Sequence, residues 1–291
     1  MKVLVTGANG NLGSKIVEYL LTRLSIEEII VGVRDDKSEK ALSYKEQGLE
    51  VRVTDFENQE TLFSAFKDVD RLFIMSTFGD FDTVIRQHTN AVEAAKATGV
   101  KQIIYPSVTV TRAEGNDFFL AGMHRAREVA IIESGIPYVI LRNNWYVENE
   151  LGTIQSCMAG APWVTSAGEG KIGWVYRPDL AEAAANVLVA DGHKNKIYEL
   201  SGENLKQQQF VDTLSEVLGK EIPLLEVDDS SYEGMLKGAG VPEAYLPMLV
   251  MIQKGIREGG LESTHTHLNF LLERQATPLK QALTHLLVNT K

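Results

Sequence analysis

Over its first 140 residues the chain alternates short β-branched runs with longer stretches whose apolar positions recur at helical spacing. The runs at 2–6 (KVLVT), 28–33 (EIIVGV), 50–54 (EVRVT), 71–75 (RLFIM), 101–107 (KQIIYPS) and 137–142 (PYVILR) read as strands. Between them, segments near 12–23, 36–47, 58–66, 83–98 and 119–134 read as amphipathic helices. Strands this rich in Val and Ile, separated by helices, imply a parallel sheet covered on both faces. Right-handed crossovers then predict a doubly wound sheet of order 3-2-1-4-5-6. Beyond Trp145 the pattern loosens. Residues 160–176 are Gly-rich and read as loop with short strand, 179–191 as a helix capped by Asp179, and 196–202 as a further strand. Residues 203–291 read as mostly helical.

This divides the α/β chain into two expected parts. One is a dinucleotide-binding domain over 1–150, to which 175–202 returns. The other is a smaller, mainly helical C-terminal domain made of 151–174 and 203–291, with a cleft between the two. The apolar segment PMLVMIQ (247–253) fits either a subunit contact in a homo-oligomer or a buried core helix, the commoner explanation.

Composition narrows the partners. The 291 residues are 44% hydrophobic and 23% charged, which is the balance of a globular chain. A net charge of −10 repels phosphate backbones, so nucleic acid is not an expected partner, and an anionic cofactor needs a local positive site. Cys157 is the only cysteine, which excludes an internal disulfide and a thiolate zinc site. No apolar run approaches the roughly 20 residues of a membrane span, so no membrane partner is expected. The opening MKVLVTGANG is too short an apolar run for a signal peptide, and a cytoplasmic location is the expectation.

The turn after the first strand carries the clearest chemistry. VTGANGNLG places Gly7, Gly10 and Gly13 at Gly-x-x-Gly-x-x-Gly spacing, directly between a strand and a long helix. Gly7 permits the tight turn, Gly10 lets backbone approach a pyrophosphate at the helix N-terminus, and Gly13 allows close helix–strand packing. With Asn9, Asn11 and Leu12 they form the expected pyrophosphate loop of a Rossmann domain. Arg34 stands at the end of the second strand, about 20 residues past the last glycine. Its guanidinium favours a 2′-phosphate, hence NADP(H), while the neighbouring Asp35 and Asp36 keep NAD(H) open: Asp35 either caps the next helix or takes the ribose itself. Ligands of such sheets sit at strand carboxyl ends, which adds Asp55 and Phe56 around the adenine and Ser76 and Thr77 beside the ribose.

Short-chain dehydrogenases use a Ser at the end of strand five and Tyr-x-x-x-Lys on the following helix. Here strand five ends in Ser107, which joins the expected cofactor set, but the helix carries His124-x-x-x-Glu128 and no Tyr-x-x-x-Lys occurs anywhere. Tyr105 lies within the strand, too early to replace the missing tyrosine. A metal site is not expected, because His-x-x-x-Glu offers two ligands where zinc takes three or more. Arg125 and Arg127 are expected on solvated faces, as are His265 and His267.

The sequence resembles the atypical short-chain dehydrogenases of the NmrA-like type, and within them the bacterial NAD(P)H:quinone oxidoreductases. The resemblance rests on VTGANGNLG, Arg34, QHTNAVEAAKATGVKQIIYPS (87–107), His124-x-x-x-Glu128, SGIPYVILRNNWYVEN (134–149), AGEGKIG (167–173) and YELSG (198–202). It departs at MSTFGD (75–80), where relatives carry a run of serines, and at Pro106. The resemblance implies a Rossmann domain with NADPH in a cleft and hydride transfer to a small quinone, or a non-catalytic NADP(H)-binding redox sensor. A sugar-nucleotide epimerase is disfavoured, because that chemistry requires a base at the substrate hydroxyl. Asn143, at the end of strand six, is expected at the cofactor. Trp145 and Tyr146 are expected to stack on the quinone, Asn144 to hydrogen-bond a developing oxyanion, and His124 to act as a proton donor or to position the cofactor ribose. Lys171 is a further candidate for the cleft, and Arg177-Pro178-Asp179 an anchor for the returning helix.

Overall fold

The computed structural model of the chain describes residues 1–109 and 119–288. Strands β1 (Val3–Val5), β2 (Ile29–Val33), β3 (Glu50–Val53), β4 (Arg71–Phe73), β5 (Gln102–Val108) and β6 (Tyr138–Asn143) alternate with helices α1 (Asn11–Leu20), α2 (Glu39–Glu46), α3 (Gln59–Ala65), α4 (Phe81–Thr98) and α5 (Phe119–Glu133). The chain continues through α6 (Leu151–Met158), β7 (Trp163–Thr165), β8 (Lys171–Gly173), α7 (Arg177–Val189) and β9 (Lys196–Leu200). It ends with β10 (Asn204–Lys206), α8 (Gln207–Leu218), β11 (Leu224–Glu226), α9 (Asp229–Gly238), α10 (Leu246–Arg257), α11 (Leu268–Leu272) and α12 (Leu279–Val288).

The main sheet has the order β3-β2-β1-β4-β5-β6-β9, with every neighbouring pair parallel. This is the expected doubly wound order with the 196–202 strand added beyond β6. The side-chain period of two splits each strand between two apolar layers. Val3 and Val5 face a layer with Ile16, Val17 and Leu20 of α1 and the alanines of α7. Leu4 between them faces the opposite layer, with Leu62 and Ala65 of α3, Ala91, Ala94 and Ala95 of α4, and Ile131 of α5. Small residues at Ala181, Ala184 and Ala185 remove the bulk that would hold α7 away from α1.

A third apolar cluster lies apart from the sheet. It gathers Val147, Ile154, Cys157, Trp163, Ile172, Trp174, Phe210, Leu214, Ile252, Ile256, Ala282 and Leu283. Two small ribbons frame it, β8 with β10 and β7 with β11. Within the 247–253 segment Ile252 is buried in this cluster and Met248 and Leu249 pack against it, while Met251 stays exposed. Leu268, Leu271 and Leu272 of α11 instead join the layer of α1 and α7. Among the described residues no helix is long and apolar enough to cross a membrane.

Two local expectations are corrected. Tyr176, not Asp179, is the N-cap of α7, and Asp179 is buried in the first turn. Its carboxylate accepts from the Thr277 backbone N–H at 2.6 Å, the Thr277 hydroxyl at 2.9 Å and the Arg274 guanidinium at 2.8 Å. It therefore ties α7 to the C-terminal stretch. The helix α6 was not foreseen in the loosened stretch after Trp145.

Candidate functional site

The parallel order puts the carboxyl ends of β1, β4, β5 and β6 side by side on one edge, and the loops that follow them meet there. Gly7, with φ of +62°, makes the turn out of β1, and a Cβ on it would sit 3.0 Å from that of Met75 after β4. Gly10 is the N-cap of α1 and leaves the helix without a side-chain cap, so the first N–H groups of Asn11, Leu12 and Gly13 have no side-chain acceptor. A Cβ on Gly13 would stand 2.9 Å from the Gly7 carbonyl carbon and 3.1 Å from Ala8 Cα, which explains why only glycine fits. The Asn9 amide donates to Ser38 Oγ at 2.9 Å, while its buried Oδ1 has no partner among the described residues.

Arg34 is exposed, and no ion pair or hydrogen bond holds its guanidinium among the described residues. Asp35, the rival for the ribose, accepts the Lys37 N–H at 2.9 Å in a tight local turn, and Asp36 pairs with Lys45. The free cation at this position is thus Arg34, supported by Lys40, whose Nζ lies 3.2 Å from the Asn9 carbonyl oxygen. The uncapped helix, the Cβ-free turn, the unpartnered Asn9 oxygen and the free guanidinium together fit an anionic dinucleotide with a 2′-phosphate.

The other two edge positions diverge. Asp55 Oδ1 accepts the Glu57 N–H at 3.0 Å, which shapes the loop after β3. Phe56 is buried in the layer beneath α3 and α4, so its ring is core rather than a free adenine face.

Between β4, β5 and α5 lies a buried polar cluster centred on Tyr105. Its hydroxyl is 2.9 Å from His124 Nδ1, 3.3 Å from Ser76 Oγ and 3.4 Å from the Arg127 guanidinium. Ser76 also donates to the Pro106 carbonyl at 2.8 Å, and Arg127 donates to the Thr77 carbonyl at 3.0 Å. His88 of α4 packs edge-on against the Tyr105 ring, with centroids 4.9 Å apart. Burial, reinforced by Arg127, pushes the His88 and His124 imidazoles down to about 3, and burial raises the Tyr105 phenol. The expectation of a solvated Arg127 is corrected, since it is 2% exposed and has no carboxylate partner among the described residues.

His124 and Glu128 do not act as a pair. Glu128 is 2% exposed and accepts from both ends of the Arg142 guanidinium, at 2.9 and 2.7 Å. Ser107 donates to it at 2.6 Å, and Arg125 at 3.1 Å. Arg142 reaches on to Glu199 at 3.0 Å, which also accepts from Thr109 at 2.7 Å. Ser107, Arg142 and Glu199 are register partners across β5, β6 and β9, so this network welds three strands to α5. The hydroxyl expected at the cofactor is therefore committed to a buried carboxylate.

After β6, Asn143 donates to the Tyr146 hydroxyl at 3.0 Å and keeps a buried Oδ1 without a partner among the described residues. Asn144 gives its amide N–H groups to Ser201 Oγ and the Leu261 carbonyl, both at 3.0 Å, and accepts the Trp145 N–H at 2.7 Å. That leaves no donor for an oxyanion, and Asn144 is a joint between segments. Trp145 and Tyr146 point apart: Trp145 packs on the third cluster and Tyr146 on the layer of α1 and α7. The Arg177 guanidinium lies 5.4 Å from the Tyr146 ring centroid. The two rings are not one stacking platform. Glu150 receives both indole N–H groups of Trp145 and Trp174 at 2.9 Å. Lys171 pairs with Glu262 at 3.1 Å. His267 accepts the Glu199 N–H at 3.2 Å and is structural, whereas His265 is exposed.

Sequence reasoning missed Lys40, His88, Arg142 and Glu199. Lys40 had a legible signal, a basic residue in the first turn of the helix after Arg34. The others are revealed only by burial.

Comparison with known proteins agrees with the cradle. The family model described as the NmrA-like family matches residues 1–267. Quinone oxidoreductase 2 of Escherichia coli (strain K12) is 33% identical over 285 residues, 98% of either chain. The triphenylmethane reductase of Citrobacter sp., solved with NADP(H), superposes with a TM-score of 0.91 at 34% identity, covering 98% of this chain and 99% of that one. An NADPH-dependent quinone oxidoreductase of E. coli, solved with NADPH, gives 0.90 at 32% identity, again over 98% and 99%.

Proposed function

The chain belongs to the NmrA-like family, and on that premise we propose that it is an NADPH-dependent reductase whose acceptor is a small quinone. The cofactor is NADP(H). The Gly7–Gly13 turn and the first N–H groups of α1 hold its pyrophosphate, Arg34 and Lys40 its 2′-phosphate, and Asn9, Ser76, Thr77 and Asn143 line the remaining loop edge. Bound NADPH supplies a hydride.

The observation that carries the quinone reading is the commitment of Ser107 and Glu128 to a buried ion-pair network, where a ketone reductase would keep a free Ser–Tyr–Lys set. Reducing a simple ketone creates an alkoxide, which demands a positioned acid. A quinone yields a ring-stabilised oxyanion, and orientation near the cofactor then does much of the work. A full-length relative that is a quinone oxidoreductase supports the same substrate class. Within this chain, Trp145 is half-buried against the third cluster just past the end of β6, and His124 stands at the Tyr105 hydroxyl.

The test follows NADPH absorbance with and without menadione, then with NADH in place of NADPH. Quinone-dependent loss that favours NADPH is expected. Cofactor binding by calorimetry without quinone-dependent loss would overturn the reading and mark the chain as a redox sensor.

A further inference from the structure

The Tyr105 cluster has the composition of a proton-transfer device as well as a place in the core. A buried phenol, a buried guanidinium with no carboxylate partner among the described residues and two neutral imidazoles converge on the middle of β5. Burial disfavours a phenolate at Tyr105, and the groups placed to offset that are the Arg127 guanidinium at 3.4 Å and the Ser76 hydroxyl at 3.3 Å.

We infer that Tyr105 and His124 form a proton relay, in which the Tyr105 O–H donates to His124 Nδ1 at 2.9 Å as His124 Nε2–H donates to the oxygen of the reduced acceptor. The inference rests on the reductase reading above. The step balances without another reactant. The acceptor oxyanion gains the Nε2 proton, His124 stays neutral with its proton moved to Nδ1, and Tyr105 becomes a phenolate held by Arg127 and Ser76. Reset runs backwards: Nε2 takes a proton from solvent as Nδ1 returns its own to Tyr105.

Three observations bear on this direction. Burial keeps His124 neutral near pH 7, so it cannot work as a free imidazolium acid. With Nδ1 engaged by the Tyr105 hydroxyl, Nε2 is the nitrogen of the ring that has no partner among the described residues. The groups facing Tyr105 are His124 and Arg127 from α5, His88 from α4 and Ser76 after β4, with Glu128 further along α5 tied to Arg142. The Glu128 charge opposes a phenolate at Tyr105, while the Arg127 guanidinium and the Ser76 hydroxyl favour it.

Two measurements on the full-length protein test the relay. The first is the nitrogen-15 spectrum of the histidines, with the His124 signal identified by its loss in His124→Gln. The relay expects the neutral Nε2–H tautomer near pH 7, perturbed in Tyr105→Phe; an Nδ1–H tautomer or an imidazolium overturns it. The second is menadione reduction by the NADPH-loaded enzyme. Glutamine keeps an N–H near the Nε2 position yet cannot pass a proton on. Both Tyr105→Phe and His124→Gln should lower kcat by about tenfold or more and abolish its solvent isotope effect, with NADPH affinity within about twofold. Wild-type kcat and isotope effect in His124→Gln would show simple hydrogen bonding and overturn the relay. A wild-type protein that leaves menadione untouched defeats the quinone reading alone. The tautomer then still decides, Nε2–H supporting a relay armed for another acceptor and Nδ1–H overturning it.

Discussion

Removing the Arg34 guanidinium tests the cofactor assignment with little risk of confusion by misfolding. The side chain is exposed and unpaired among the described residues, so Arg34→Ala strands no buried partner and should move stability by no more than about 0.5 kcal/mol. A hydrogen bond to a charged group contributes about 1.5–3 kcal/mol. At an exposed, salt-screened position the low end applies, and about 1.4 kcal/mol is a factor of ten. Lys40, held near the Asn9 carbonyl at 3.2 Å, leaves part of the positive field in place. The expected result is a fall of about tenfold in kcat/KM for NADPH, with the value for NADH nearly unchanged. Rising salt should narrow the wild-type preference in the same direction, because the contact is electrostatic and exposed. The assay is a pair of initial-rate series with the two cofactors at low and at physiological ionic strength. An unchanged NADPH-to-NADH ratio in Arg34→Ala would refute the role given to the guanidinium. Equal losses with both cofactors would locate its effect away from the 2′-phosphate.

Other outcomes follow from the packing. Gly13→Ala drives a Cβ into the backbone of Gly7 and Ala8, which no rotamer can relieve, so urea unfolding should show a loss of about 1–3 kcal/mol together with weaker NADPH binding; a variant as stable and as tight as wild type would sink that account. Glu128→Gln leaves the Arg142 guanidinium half-matched inside the protein, and a loss of about 3–5 kcal/mol in the same assay is expected, with less than about 1 kcal/mol counting against a stabilising network. His88 and His124 are held neutral with values pushed down to about 3, whereas the unfolded chain takes up protons below about 6.5, so stability is complete above that pH and falls as the pH drops towards 3. At about pH 5 the loss is about 2 kcal/mol per histidine, and a urea midpoint that stays flat between about pH 7.5 and 5 would contradict the burial of His88 and the partial burial of His124.

What the sequence made legible follows a physical rule. The Val- and Ile-rich runs could be placed because a strand covered on both faces needs nothing but local apolarity to be recognised. The glycine turn could be read because its demands are local too: a positive φ at Gly7 and the absence of a Cβ at Gly13. Helix α6 escaped because LGTIQSCM combines weak helix formers, and its buried pair Ile154 and Cys157 is amphipathic only against a partner from elsewhere in the chain. The buried charges escaped for the same reason. Arg142 looks like an ordinary strand residue until Glu128 and Glu199, 14 and 57 positions away, close around it. Phe56 shows the opposite error, since an aromatic at a strand end reads as a ligand contact until the helix layer above it is known.

Helix α5 shows how one local spacing supports two separate jobs. Residues three and four apart share a face, and the helix brings Arg127 beside His124 and Glu128 rather than to the solvated face expected for it. The sheet beneath then divides them. His124 and Arg127 meet Tyr105 in the gap between β4 and β5, while Glu128, one step further, crosses to β6 and takes Ser107 and Arg142. Where a short-chain dehydrogenase carries its tyrosine and lysine, this chain has His124 and the structural anchor Glu128, with the cation Arg127 between them. A phenol stands instead on the strand, where Tyr105 meets both an imidazole and a guanidinium. A phenol, a cation and a hydrogen-bonding hydroxyl are the parts a proton donor needs, and here Tyr105, Arg127 and Ser76 supply them with His124 between the phenol and the ligand side. The chemistry of the edge thus depends on which strand supplies the phenol as well as on the motif along the helix, and a single-residue comparison of Tyr-x-x-x-Lys with His-x-x-x-Glu does not capture it.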